Sequence, residues 1–234
     1  MRLPNDSQRH AIYGQTGSGK TVGGLYWLSR RDFDKKPWLI INAKADPNIA
    51  KIPRLEQIGI RDAPPKQPGL YEVRPLPAHD EPYLTEMMWK IWDRGKFGLF
   101  VDEAYRIPRL DPAFNAILTQ GRSKRIPVIM LAQRPAYVPP FFMSEADFHQ
   151  VYHLTNPADI KRIKEWVPPI GPTRRDFHSQ FYDVANGTLT YLAPVPPEAE
   201  IMDRFDLRMP RRIRHLEGFA RNVRHSGDQR HKRA

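Results

Sequence analysis

At 234 residues the chain fits one medium α/β domain and is too short for two large ones. It contains no cysteine, which excludes a disulfide framework and a thiolate metal site. No run approaches 18 apolar residues and Met1 to Asp6 lack an apolar leader core, so neither a membrane span nor export is expected, and a formal net charge of +11 favours a polyanionic partner such as nucleic acid over an acidic small substrate.

In chain order, His10 to Tyr13 reads as a short strand and Val22 to Arg30 as a helix. Between them stands Gly14-Gln15-Thr16-Gly17-Ser18-Gly19-Lys20-Thr21, which fills every fixed position of the phosphate-binding loop pattern G-x-x-x-x-G-K-[ST]. The glycines let backbone N–H groups curl around phosphates, Lys20 reaches the β and γ oxygens, and Thr21 offers a hydroxyl to Mg²⁺. The helix that follows points its positive dipole end at the anion. A nucleotide site with Mg²⁺ is therefore expected here.

Trp38 to Ile41 is a continuous apolar run ended by Asn42, the pattern of a strand buried on both faces of a parallel sheet. Prolines crowd the stretch from Pro53 to Pro82, where only Leu70 to Arg74 looks strand-like. Glu81 to Arg94 reads as an amphipathic helix, with Leu84, Met87, Met88, Ile91 and Trp92 on the face toward the core. Next, Phe97 to Val101 is an apolar strand delivering Asp102 and Glu103 at its carboxyl end, the edge where α/β sheets bind ligands. Asp102 is the candidate Mg²⁺ ligand, and Glu103 the candidate base for the attacking water.

Asp111 opens a helix through Thr119, with Pro112 in its first turn. A basic turn follows, Gln120 to Arg125, and then a strand from Ile126 to Leu131 that closes in Ala132-Gln133-Arg134-Pro135. Gln133, at a strand terminus beside the phosphate site, is suited to sense the γ-phosphate or the attacking water. Spacing leaves Arg122 open between a surface ion pair and an arginine finger reaching a neighbour's γ-phosphate. Phe148 to Leu154 reads as a strand. Its His149 and His153 lie about 13 Å apart along it, too far to share one zinc ion. Asn156 to Val167 reads as a helix, and Asn186-Gly187, between Gln180–Val184 and Thr188–Leu192, as a type I′ hairpin turn. From Arg208 onward the chain is strongly basic. Arg211, Arg212 and Arg214 there, with Lys124 and Arg125 in the earlier turn, are the candidate contacts to a phosphate backbone.

The order of these landmarks resembles the HerA/FtsK superfamily of ring-forming, DNA-pumping P-loop ATPases. The resemblance runs from Ile12 to about Val167 through Gly14 to Thr21, Ile41-Asn42-Ala43-Lys44, Phe100 to Glu103, Gly121-Arg122-Ser123 and Ile129 to Pro135. One departure is Asn42, where the family commonly has aspartate before a lysine, which puts any role resting on that carboxylate in doubt. Within the superfamily the short, bare chain is most similar to the genome-packaging ATPases of tectivirus-like, internal-membrane viruses.

That resemblance implies an α/β P-loop NTPase fold of the additional-strand, catalytic-glutamate, RecA-like type, with a mainly parallel central sheet flanked by helices. Residues 1–207, including a hairpin at 178–193, would form the ATPase domain, and 208–234 a basic tail. It implies ATP hydrolysis coupled to translocation of double-stranded DNA into a capsid, in a homo-oligomeric ring with Arg122 as the finger in trans and Gln133 as the sensor. A portal or vertex protein becomes a candidate partner, and the host cytoplasm or the packaging vertex the place of work. The competing readings are an assembly or secretion ATPase of the filamentous-phage export type, a cellular or plasmid DNA pump and a small-molecule kinase.

Overall fold

The computed structural model describes residues 1–76 and 78–210. Nine strands form one sheet: β1 (Arg9–Tyr13), β2 (Pro37–Asn42), β3 (Glu56–Gln57), β4 (Gly69–Val73), β5 (Gly98–Asp102), β6 (Val128–Ala132), β7 (Phe148–Val151), β8 (Ser179–Asp183) and β9 (Thr188–Leu192). Their spatial order is β3-β4-β2-β5-β6-β1-β7-β8-β9. Every pairing from β3 to β7 is parallel, while β8 and β9 join antiparallel. The strand β6 thus lies between β1, which carries the phosphate loop, and β5, which carries the acid pair. This is the inserted strand that the sequence resemblance implies.

The helices α1 (Lys20–Leu28), α2 (Pro47–Ala50), α3 (Glu81–Arg94), α4 (Pro112–Gln120), α5 (Pro140–Ser144), α6 (Pro157–Lys164) and α7 (Glu198–Arg208) form the outer layers. Two apolar clusters sandwich the sheet. On one face Met87, Met88 and Ile91 of α3, Phe114 and Ile117 of α4, Phe142 of α5 and Ile163 of α6 pack on Leu39, Leu99, Val101 and Met130. On the other, Leu25 and Leu28 of α1, Ile49 of α2, and Ile201 and Phe205 of α7 pack on Trp38, Ile40, Phe100 and Leu131. Because both faces are covered, β2, β5 and β6 are buried at every position, which is why they read as unbroken apolar runs. Gly98 at the head of β5 leaves the space that the Trp38 ring fills: a Cβ there would overlap the indole.

Three local expectations change. The helix α7 lies within the stretch from 195 onward that the sequence left without an element. It ends at Arg208, so that residue belongs to a packed helix whose Ile201 and Phe205 are buried rather than to a tail. The hairpin is present, but β8 pairs with β7 and extends the central sheet. Its turn is a four-residue connection, Val184 to Gly187, closed by the Asp183–Thr188 pair, with a left-handed backbone only at Gly187 (φ 60°). The Asp183 carboxylate decides this. It accepts from the Ala185 N–H at 3.2 Å and the Asn186 amide at 2.7 Å, holding Asn186 out of the conformation a type I′ turn needs.

The two histidines, His149 on β7 and His153 just beyond it, go to separate partners: His149 Nδ1 meets the Tyr13 hydroxyl at 3.0 Å, and His153 Nδ1 the Thr173 hydroxyl at 3.3 Å. Among the described residues no cluster suits a metal held by histidine, cysteine and carboxylates. His10 is fully buried against Trp27, Phe148 and Phe181, and neither ring nitrogen has a hydrogen-bond partner. Burial holds His10 well below the usual histidine range and lowers His149 to about 4. The unfolded chain binds protons at both imidazoles near pH 6.5, whereas the folded chain resists until much lower pH. Stability present above pH 6.5 is therefore lost as the pH falls toward 4, by on the order of 3 kcal/mol for His149 alone. Thermal melts between pH 7 and 4 of the parent and of His149→Phe test this: the variant should lose a smaller part of its melting temperature across that window.

Candidate active site

The phosphate loop leaves β1 at the carboxyl edge of the sheet and is clasped by both neighbouring strands. The Gly14 N–H donates to Ala132 O at the end of β6 (3.3 Å), and the Gln15 N–H to His153 O just beyond β7 (3.0 Å). Gly17 (φ 77°) and Gly19 (φ 87°) hold the left-handed conformations that curl the loop toward α1, which only glycine adopts without strain. A side chain at Gly14 would strike Ser18 and the Cβ of Tyr152, so the close approach of loop and strand also requires glycine.

Glu103 is the centre of the site. It lies one residue past the end of β5 in a left-handed backbone conformation (φ 58°, ψ 60°), uncommon for a residue with a Cβ. Its side chain is 4% exposed. Oε1 receives Lys20 Nζ at 3.2 Å and Lys44 Nζ at 2.5 Å, and Oε2 receives the Gln133 N–H at 3.3 Å. Burial pushes this carboxyl up, but Lys20 and Lys44 more than offset that and hold it below the usual glutamate range. It is therefore an ionised acid, available as a proton acceptor. The Gln133 amide bonds the Thr16 hydroxyl of the phosphate loop and accepts from Lys44 Nζ at 3.4 Å. The backbone after it is fixed by buried Asp159 on α6, which accepts from Arg134 Nε at 2.9 Å and the Ala136 N–H at 3.0 Å.

Asp102, at the last position of β5, is 2% exposed, and neither carboxylate oxygen has a hydrogen-bond partner. Burial raises its pKa to about 6 despite the nearby charge of Lys20. Buried carboxylate oxygens without donors are the acceptor set of a hard-cation site. Thr21 stands in the first turn of α1, half-buried.

In sequence the chain is 40% identical over 223 residues to the DNA packaging ATPase P9 of Enterobacteria phage PRD1, an alignment covering 91% of this chain and 98% of that protein. The chain belongs to the family of viral DNA-packaging ATPases. No protein-family model matches it. Its fold is shared with the genome packaging NTPase B204 of Sulfolobus turreted icosahedral virus 2. The sulfate complex of B204 superposes with a TM-score of 0.67 at 19% identity, covering 82% of this chain and 99% of that one. The B204 complex with ATP-gammaS gives 0.65 at 17% identity, covering 82% and 100%.

Against this ATPase fold, the residues expected from sequence fall into two groups. Lys20, Glu103, Gln133 and Thr16 are joined by direct bonds, with Asp102 beside them. Arg122 lies elsewhere. It follows α4 at the amino-terminal edge of the sheet, 60% exposed, with Nη1 3.7 Å from Asp147, the residue just before β7. It therefore stands on the opposite edge of the sheet from the phosphate loop. Lys124 and Arg125 share that edge, where with Arg94 and Lys96 they line an open cleft of about 370 Å³, and Lys124 Nζ lies 3.8 Å from the centroid of the Trp92 ring. Arg211, Arg212 and Arg214 lie outside the described residues.

One functional side chain carried no assigned role in the sequence: Lys44. Its position just past β2, on the carboxyl edge, was the available signal. Asn42 also finds a reason. Its amide donates to Glu72 Oε1 at 2.7 Å and accepts from the Asp46 N–H at 2.9 Å, both inside the protein. An aspartate there would set a second carboxylate against buried Glu72, so the amide suits this neighbourhood.

Proposed function

We propose that this ATPase is a motor that drives double-stranded DNA into a viral capsid, working as a homo-oligomeric ring in the host cytoplasm or at the packaging vertex, against a portal or vertex protein. The observation that carries the reading is the buried, ionised Glu103 at the mouth of a complete phosphate loop, in a chain 40% identical to a DNA packaging ATPase.

Lys20 is paired with Glu103. The β and γ oxygens of ATP offer Lys20 a more highly charged partner, and its transfer to them removes one of the two ammonium donors on Glu103 Oε1 while Lys44 still keeps the carboxylate ionised. Glu103 then accepts a proton from the water that attacks the γ-phosphorus, as the bond to the β,γ-bridging oxygen breaks to give ADP and phosphate. Gln133, held between Thr16 and Lys44, is in reach to report on the γ-phosphate. The two unbonded oxygens of Asp102, with the Thr21 hydroxyl, fit Mg²⁺, which when bound supplies charge neutralisation at the phosphates. The charge that develops beyond Lys20 needs a further cation. Arg122, on the far edge of its own sheet, is suited to provide it to the next subunit. Lys124 and Arg125 are the cations offered to the DNA backbone, through contacts that carry no sequence preference.

ATP hydrolysis with and without double-stranded DNA tests the coupling, and mixed subunits test the shared site. Arg122→Ala and Lys20→Ala should each be inactive. Their mixture should recover part of the activity, because one boundary in it combines an intact Lys20 with an intact Arg122. Absence of both DNA stimulation and salt-sensitive DNA retention at low salt would favour the assembly or secretion reading instead.

A further inference from the structure

The segment between α6 and β8 runs past the phosphate loop and is fastened to the fold at its start. Gln180 holds its start with three bonds, accepting from the Gly171 N–H at 2.9 Å and donating to Gly171 O and Pro172 O at 3.0 Å each. The Thr173 hydroxyl accepts from the Leu154 N–H at 3.0 Å. The same stretch after β7 grips the phosphate loop, through His153 O and through the Thr155 hydroxyl, which bonds Gln15 Oε1 at 2.8 Å. Asp176 pairs with Arg174 and, at 2.9 Å, with His178.

Phe177, between them, lies against the phosphate loop. A Cβ built on Gly19 would lie 3.0 Å from its Cδ1, closer than an ordinary van der Waals contact. That ring is 53% exposed, and its residue has φ 61°, a conformation rare for any side chain but glycine and a genuine outlier for a bulky one. The fold thus holds a half-exposed aromatic side chain against Gly19, the residue just before α1.

The topology says which part of a nucleotide would meet it. Glu103 and Gln133 follow β5 and β6, on one side of β1, whereas Phe177 precedes β8, on the other side. A triphosphate with its γ-group toward Glu103 extends its sugar and base away from that side, toward β7 and β8. We infer that Phe177 is the platform on which the base of the bound nucleotide stacks. The inference rests on reading the phosphate loop as an ATP site. Stacking uses the π-face that every base has, so this contact grips the base without distinguishing adenine from guanine.

The test uses the full chain, with ADP and inorganic tripolyphosphate as probes. Phe177→Ala should weaken ADP by about 10-fold or more, leave tripolyphosphate affinity unchanged, and raise KM for ATP and GTP by similar factors with kcat little altered. Phe177→Trp should restore ADP binding. Equal losses of ADP and tripolyphosphate in Phe177→Ala would mean the ring merely props the phosphate loop and would overturn the assignment, as would unchanged ADP affinity. Parent protein that binds neither probe would instead remove the nucleotide-site reading itself, and the stacking platform with it.

Discussion

Replacing Glu103 by glutamine is expected to lower kcat for ATP hydrolysis by about 10³-fold while nucleotide binding is kept or tightened. The substitution preserves shape: an amide oxygen can still accept from Lys44, and the backbone stays as it is. What it removes is the charge that makes residue 103 a proton acceptor. The same charge holds Lys20 in an ion pair. Without it Lys20 is free for the phosphates, so affinity should not fall even though turnover does. Phosphate release under saturating ATP, together with equilibrium ADP binding, separates these effects. Near-parental turnover in Glu103→Gln would remove Glu103 from the role of base. Loss of binding together with activity would make it a structural anchor.

Asp102→Asn should produce two opposite effects in one variant. Burial without a hydrogen-bond donor disfavours the charged form of this carboxylate, which outweighs the nearby Lys20 charge and is why its pKa is raised to about 6. Folding then takes up a proton between the unfolded value of 3.8 and about 6, and stability present below pH 3.8 is lost as the pH rises through 6. An asparagine has no such loss, so at pH 8 the nucleotide-free variant should be more stable than the parent by up to about 3 kcal/mol, or roughly 6–12 °C in melting temperature. The advantage should shrink below pH 6 and vanish near pH 4. With Mg²⁺ and ATP the order should reverse, because the parent gains ligand stabilisation that the variant cannot. Melts at pH 8 and 5, with and without Mg-ATP, supply the four measurements. A stability difference independent of pH would show that Asp102 is compensated in the protein, and an undiminished Mg-ATP shift in the variant would exclude it as the cation's ligand.

Much of this site was legible before any coordinates. The phosphate loop is contiguous, and its glycine positions follow from the backbone it needs. The runs at Trp38–Ile41, Phe97–Val101 and Ile126–Leu131 announced apolar strands of one sheet, so the acids and amide that end them were expected at one edge. Lys44 was harder, because nothing local distinguishes it from other loop lysines. Its importance comes from meeting Glu103, 59 positions away. The hairpin turn misled for the opposite reason. Asn186-Gly187 has the composition of a type I′ turn, and the side chain of Asp183, three residues earlier, diverted it.

The sequence by itself determined the central strands and the placing of their chemistry: which apolar runs are buried strands, where the phosphate-loop pattern stands, and which carboxylates end a strand. These depend on backbone preference and hydrophobic period, properties of neighbours along the chain. Only the tertiary structure decided the order of the strands, which inserts β6 between β1 and β5 and so brings the Gln133 N–H to Glu103. It alone paired Lys20 and Lys44 on one buried carboxylate, left Asp102 without a donor, set Phe177 over Gly19, and put Arg122 on the edge away from its own phosphate loop. Strand order is set by how crossover helices pack on both faces of the sheet, and burial by what those helices cover. Both are sums over contacts distant in the chain, which no local pattern of residues encodes.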